Sequence, residues 1–290
     1  MTIEHAKSHF EPKPWGVVDT RPWSNAGGGV ESIGEIWYER ATPGAAPPSL
    51  LLKLLLTSKP LSIQVHPDDA YARSIGLPNG KTEAWYVLGA APEAKVALGL
   101  KLRLSSSQLR QAIDDGTIAE CVVWQPAHAG DAAFVPAGTI HAVGAGLIIA
   151  EIQQRSDTTF RIFDYGRGRT LNIDDALAVA NAGPADFGIK PASGAGTRIL
   201  LTSNRYFTFE KIDLAPDSSW QLEALRETWL LVIEGSARVA AFDVTTGDSI
   251  FAEMDRVDIR VGSGGLVGLV AYAGDMVPQL LDRSEEETTQ

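Results

Sequence analysis

The chain has 290 residues, 44% of them hydrophobic and 21% charged, with a formal net charge of −11. That acidity excludes the broad positive surface which nucleic acid or an anionic membrane demands, while a few pocketed Arg and Lys could still hold an anionic small molecule. The single cysteine, Cys121, cannot form an internal disulfide, the segment MTIEHAKSHFEPKPWG lacks the apolar core of a signal peptide, and no apolar stretch is long enough to span a bilayer; a cytoplasmic protein is expected.

The length allows two compact units, or one elaborated β unit with a helical insertion. Gly and Pro punctuate the first half, and short β-type runs lie between them: Ile33–Tyr38, Leu50–Leu56, Leu61–Val65, Ala84–Leu88, Val96–Leu98, Ala132–Val135 and Leu147–Gln153. This pattern predicts an antiparallel sandwich or barrel. Two helical elements interrupt it. One lies at about 103–121, where SSSQLRQAIDDG begins on serines and ends on glycine. The other spans 171–181, with Asn172 as its expected cap. Residues 183–197, GPADFGIKPASGAGT, read as a linker. A second β region follows over 198–290, in which TWLLVIEGSARVAAFD predicts a strand, a Glu-Gly turn and another strand, and DRSEEETTQ predicts a frayed end. This region contains no histidine, so histidine chemistry belongs to residues 1–182.

In SIQVHPDD, alternation places Ser62, Gln64 and His66 on one strand face, and Ile63 and Val65 on the apolar other. In GKTEAWYVL, Lys81 and Glu83 share a face; in VPAGTIHAV, His141 follows a Pro-Gly turn; in EIQQR, Glu151, Gln153 and Arg155 align. Two imidazoles, a carboxylate and an amide oxygen suit a divalent metal, with zinc, Mn, Fe or Co all compatible. Two histidines on unrelated strands are nevertheless more often structural. Alternation alone pairs only Gln64 with His66.

The segments QVHPDDAYA, GKTEAWYVL, VPAGTIHAVGAGLIIAEIQQRSD and TTFRIFDYGR, with PWG at Trp15 and IGEIWY at Ile33–Tyr38, resemble type I phosphomannose isomerases of the short bacterial branch. The resemblance covers roughly residues 12–182. It implies a mainly β fold of two cupin-like antiparallel barrels with a small helical insertion, the first carrying the metal and the second lacking ligands. It implies one zinc at Gln64, His66, Glu83 and His141, and interconversion of mannose 6-phosphate and fructose 6-phosphate through an enediol. Asp157, Arg161 and Arg167 fall at positions that the family uses near the substrate, and Ser62 and Lys81 at positions lining the same pocket. Glu151 is the candidate base, or else a structural partner of a ligand, and Arg161 is expected to steady the enediolate or the phosphate. Arg167 and Lys81 are expected to hold the phosphate, with a hydrogen bond from Ser62. The family's GKTE is commonly followed by Cys, here by Ala84, and residues 198–290 carry no signature. Isomerase chemistry on another sugar or sugar phosphate, and a cupin-like sugar-binding protein without catalysis, remain as alternatives. A monomer is expected.

Other features are expected to be structural. His5 and His9 lie in a segment read as mobile, His128 in a surface turn, and Cys121 in an apolar run. NAGGGVES lacks the Lys and following helix of a phosphate loop.

Overall fold

Alternation along each strand sorts its residues between two cores, and this sorting builds the molecule. A computed structural model describes residues 2–24 and 31–284. Most of the NAGGGVES segment and the end of the acidic tail lie outside the described residues.

A seven-stranded antiparallel sheet runs in the order Lys190–Pro191, Asp131–Val135, Glu83–Ala90, Leu147–Gln154, Leu50–Leu56, Ile33–Glu39 and Lys7–Val17. A five-stranded sheet runs in the order Phe160–Phe163, Ile63–Val65, His141–Val143, Lys95–Leu100 and Val122–Pro126. Leu55, Trp85, Val87 and Ile149 of the larger sheet pack with Val96, Leu98 and Val143 of the smaller one, so the two sheets form a cupin-like sandwich. A third, nine-stranded sheet takes most of its strands from residues 198–283.

The run LLLKLLL (Leu50–Leu56) is buried along its whole length. Leu50, Leu52, Leu54 and Leu56 pack on Phe207, Phe209, Trp229 and Leu269 of the third sheet. The intervening positions, Lys53 and Leu55 among them, face the interior of the sandwich. This central strand therefore has an apolar core on one side and a polar cavity on the other, and it reads as a continuous hydrophobic run.

The outer face of the five-stranded sheet, Ile63 and Val65 included, is covered by helical residues Leu109, Ala112, Ile113 and Ala176. The helix Ser106–Asp114 starts in a capping box: the Ser105 hydroxyl accepts from the Gln108 amide and the Gln108 side chain returns the bond. The helix Ile173–Val179 lacks the expected cap. The Asn172 side-chain oxygen Oδ1 accepts instead from the Arg161 backbone amide, tying the helix start to the neighbouring strand.

Other departures have long-range causes. Thr2–His5 is a strand paired with Ser249–Glu253, so the start of the chain belongs to the third sheet, and His5 bonds Asp248 there. His9 lies in the strand Lys7–Val17 rather than a mobile segment. The expected Glu-Gly turn at 234–235 is absent: Thr228–Val239 is one strand, and register shifts on either side of Gly235 absorb the irregularity. Residues 183–197, expected as a linker, contain the strand Lys190–Pro191 at the edge of the seven-stranded sheet. The helix Asp69–Ser74, capped by Asp68, was not expected from the sequence. Among the described residues, no helix is long and apolar enough to cross a membrane.

Candidate active site

Strand register brings the polar positions together. His141 pairs directly with Gln64 across two strands of the five-stranded sheet. On the opposing sheet, Glu151 lies between Lys53 and Trp85, and Gln153 opposite Glu83. Gly80 links the sheets: a Cβ there would lie 2.5 Å from the Asp68 carbonyl carbon and the Pro67 oxygen. Only glycine permits that approach, and it lets the Lys81 amide bond the Pro67 carbonyl at 3.0 Å. His66 and Glu83 are thereby set side by side.

His66, Glu83 and His141 are buried, and one ligating atom from each lies within 4.8 Å of the others. Glu83 Oε2 is 3.4 Å from His66 Nε2, and Oε1 is 3.4 Å from His141 Nε2. Each imidazole uses its other nitrogen on a backbone carbonyl: His66 Nδ1 on Thr158 at 2.8 Å and His141 Nδ1 on Thr139 at 2.9 Å. With Nδ1 protonated, both Nε2 lone pairs face inward, the arrangement that a metal requires. Glu83 Oε2 is buried and faces the His66 imidazole and the Lys81 ammonium without a well-formed hydrogen bond, and two inward Nε2 lone pairs with a carboxylate between them are a donor set that fits a divalent cation. Gln64 is adjacent, but its oxygen accepts from Ser62 at 2.9 Å and its nitrogen faces His141 Nε2 at 3.3 Å. The amide must turn over before its oxygen can join the other three.

Lys81 supplies positive charge at this cluster, with Nζ 3.2 Å from His66 Nε2 and 3.1 Å from Glu83 Oε2. Burial alone would raise the Glu83 carboxyl; Lys81 and the imidazoles outweigh it and hold the group well below its ordinary range. Burial, then the Lys81 charge, pushes His66 down to about 3. Burial likewise depresses His141.

The same cavity contains a second charged group that the sequence did not single out. Lys53 lies 3.1 Å from Glu151 Oε1 and 3.4 Å from Glu35 Oε2, and Lys13 is 3.9 Å from Glu35 Oε1. The Trp85 indole donates to Glu151 Oε2 at 3.1 Å, and the Trp37 indole to Glu35 at 2.6 Å. Burial, and next the Glu83 charge, raise the Glu151 carboxyl despite Lys53 and Lys81. Glu151 is thus set apart from Glu83 and Glu35: of three buried carboxyls in one cavity, these two are held ionised and Glu151 is shifted toward the proton.

Ser62, Lys81, Asp157 and Arg161 line this cavity as well. Arg167 does not. Its Nη1 donates to the Pro60 carbonyl at 2.7 Å and its Nη2 to Asp164 at 2.7 Å, and the guanidinium lies over the Tyr165 ring. Arg169, which the sequence reading missed, lines the cavity in its place. Lys13, Glu35 and Lys53 were missed too; the signal available for Lys53 was a lone charge in an otherwise apolar strand. Cys121 is half-buried and distant in role, and His128 is exposed.

A cupin-like sandwich whose interior gathers two histidines, a glutamate and a set of buried lysines and carboxylates defines a metal-capable binding pocket for a polar small molecule. No family model matches the chain. Over 204 residues the chain is 38% identical to mannose-6-phosphate isomerase of Streptococcus mutans, a match covering 66% of this chain and 62% of that protein. Over 202 residues it is 34% identical to "Probable mannose-6-phosphate isomerase GmuF" of Bacillus subtilis, covering 66% of this chain and 63% of that protein. The matches thus span less than two thirds of these curated relatives. The crystal structure of the mannose 6-phosphate isomerase from Bacillus subtilis superposes with a TM-score of 0.80 at 26% identity, covering 94% of this chain and all of that one. In sequence over these spans, and in fold over nearly its whole length, the chain is similar to mannose-6-phosphate isomerases.

Proposed function

We propose that this protein is an aldose–ketose isomerase that interconverts mannose 6-phosphate and fructose 6-phosphate, with zinc held by His66, Glu83, His141 and a turned Gln64. The observation that carries this reading is a buried ligand triad whose Glu83 lines the same cavity as a separate carboxyl, Glu151, with raised affinity for protons. The relatives' names supply the substrate.

Isomerisation moves a proton between C1 and C2 of the open-chain sugar through an enediol. A divalent metal in this site would supply positive charge to the oxygens on those carbons. Glu151 takes the proton from C2 of the aldose and returns it to C1, while the O2 hydroxyl proton passes to O1. The raised affinity of its carboxyl brings it closer to the operating pH, where a general base works best. Lys53 and the Trp85 indole fix the carboxylate for this transfer. The Arg161 guanidinium has a buried Nε with no partner and is available to an anionic oxygen of the substrate. Ser62, Lys81 and Asp157 contact the sugar from the cavity wall.

A coupled assay with mannose 6-phosphate, with and without chelator, tests the reading. Turnover abolished by chelation and restored by zinc is the expected result. A metal-loaded protein that turns over no hexose phosphate would overturn it. Turnover confined to another sugar phosphate would keep the chemistry and change the substrate.

A further inference from the structure

The loop Asp164–Thr170, sequence DYGRGRT, folds both of its arginines back onto one carboxylate. Tyr165, Gly166 and Gly168 all have positive φ, at 52°, 74° and 76°. Arg167 and Arg169 both reach Asp164, which is only 5% exposed. Their remaining bonds differ. Arg167 spends all three guanidinium nitrogens on protein: Nε and Nη2 on Asp164, Nη1 on Pro60. Arg169 lays Nε and Nη2 on the two oxygens of Asp164, and its Nη1 has no partner among the described residues. Arg169 also lines the charged cavity, together with Arg161.

From this geometry we infer that Arg169, aimed by Asp164, binds the phosphate of the substrate jointly with Arg161, and that Arg167 is a strut that pins the loop to Pro60. The inference rests on the sugar-phosphate reading above. The Arg161 guanidinium lacks a carboxylate partner; after burial, the Arg169 charge is the strongest influence depressing it. Two guanidiniums close enough to repel, with one carboxylate between three arginines, leave positive charge that a phosphate dianion would balance. Thr159 and Asp157 line the same cavity, and Asp157 limits the surplus. Asp164 is a positioning residue here, since it reaches the ligand only through Arg169.

The test is calorimetric binding of inorganic phosphate to the full chain, alongside the steady-state KM for mannose 6-phosphate. R169Q should weaken phosphate binding and raise KM by about ten- to a hundredfold, the value of one or two charge-assisted hydrogen bonds. R169K, which keeps the charge but not the planar fork, should fall between R169Q and the parent and carries the test if R169Q does not fold. R167Q should lower Tm and weaken phosphate binding less than R169Q does. Phosphate affinity unchanged in R169Q and R169K, or a larger loss in R167Q, would overturn the assignment. The phosphate titration needs no turnover. Binding lost in R169Q without any isomerase activity would therefore overturn the isomerase reading alone, and turnover with KM untouched by R169Q would overturn the Arg169 assignment alone.

Discussion

Lys53 and Glu151 face one another across adjacent strands of the seven-stranded sheet, Nζ to Oε1 at 3.1 Å, with both side chains almost fully excluded from solvent. Glu35 flanks the same ammonium at 3.4 Å. A cation between two carboxylates stays charged when either one takes up a proton: Glu151 and Glu35 outweigh the burial that would neutralise Lys53 and raise its affinity for the proton. The ion pair is therefore suited to a proton-carrying neighbour.

Lys53→Met removes the shared cation and leaves two buried carboxylates facing each other. Breaking a buried ionic pair from one side costs about 3–5 kcal/mol. Thermal melts should show a large loss of Tm at pH 7 that shrinks at lower pH, where the stranded carboxyls protonate. A pH-independent loss would assign the effect to packing alone.

Glu151→Gln keeps the shape and removes the proton carrier. kcat should fall by about a hundred- to ten-thousandfold, while elemental analysis finds the metal content unchanged. Near-wild-type turnover with metal retained would remove Glu151 from the proton transfer.

The metal-free protein should lose stability in acid through His66. Its folded value, about 3, lies below its ordinary 6.5, so between these values the unfolded chain binds the extra proton and stability falls as pH falls. Glu83, depressed in the fold, acts in the same direction below 4.5. Glu151, raised in the fold, acts oppositely: its ionisation above 4.5 costs stability as pH rises. In chelated protein, denaturant melts should show a falling limb from pH 6.5 downward, with each fully coupled proton contributing about 1.4 kcal/mol per pH unit. His66→Gln should flatten that limb. An unchanged slope would show that acid sensitivity arises elsewhere.

Zinc returned to the chelated protein should raise Tm, because binding to the folded state alone adds about 4 kcal/mol at a thousandfold excess over Kd. His141→Ala should abolish the rise. A rise that survives in His141→Ala would place the ion outside the triad.

Gly80→Ala drives a Cβ into the backbone of Pro67 and Asp68. Overpacking of this kind costs about 1–3 kcal/mol. Since the same contact sets His66 beside Glu83, zinc affinity should fall along with Tm, which equilibrium dialysis would detect. Loss of Tm with metal affinity intact would show that the triad tolerates the shift.

Local sequence determined which side of each strand a residue occupies. Alternation placed Ile63 and Val65 in one core and Gln64 on the opposite face, and the leucines of Leu50–Leu56 marked that strand as buried. It also identified the helix at Ser106–Asp114, whose capping signal is contained within four residues. Strand neighbours and close approaches were decided only by the tertiary structure. His141 meets Gln64 through register across strands 77 residues apart in sequence. Lys53, a lone charge among leucines, gains its role from Glu35 and Glu151, which lie on neighbouring strands. The GRGR segment holds two arginines of equal local standing, and the fold of the loop onto Asp164 and Pro60 separates them. Side-chain direction repeats every two residues and is legible in one strand, whereas a charge takes its meaning from whatever the fold sets opposite it. The sequence could therefore nominate ligands, and only three-dimensional packing could gather them with the buried lysines and with Arg169 around one cavity.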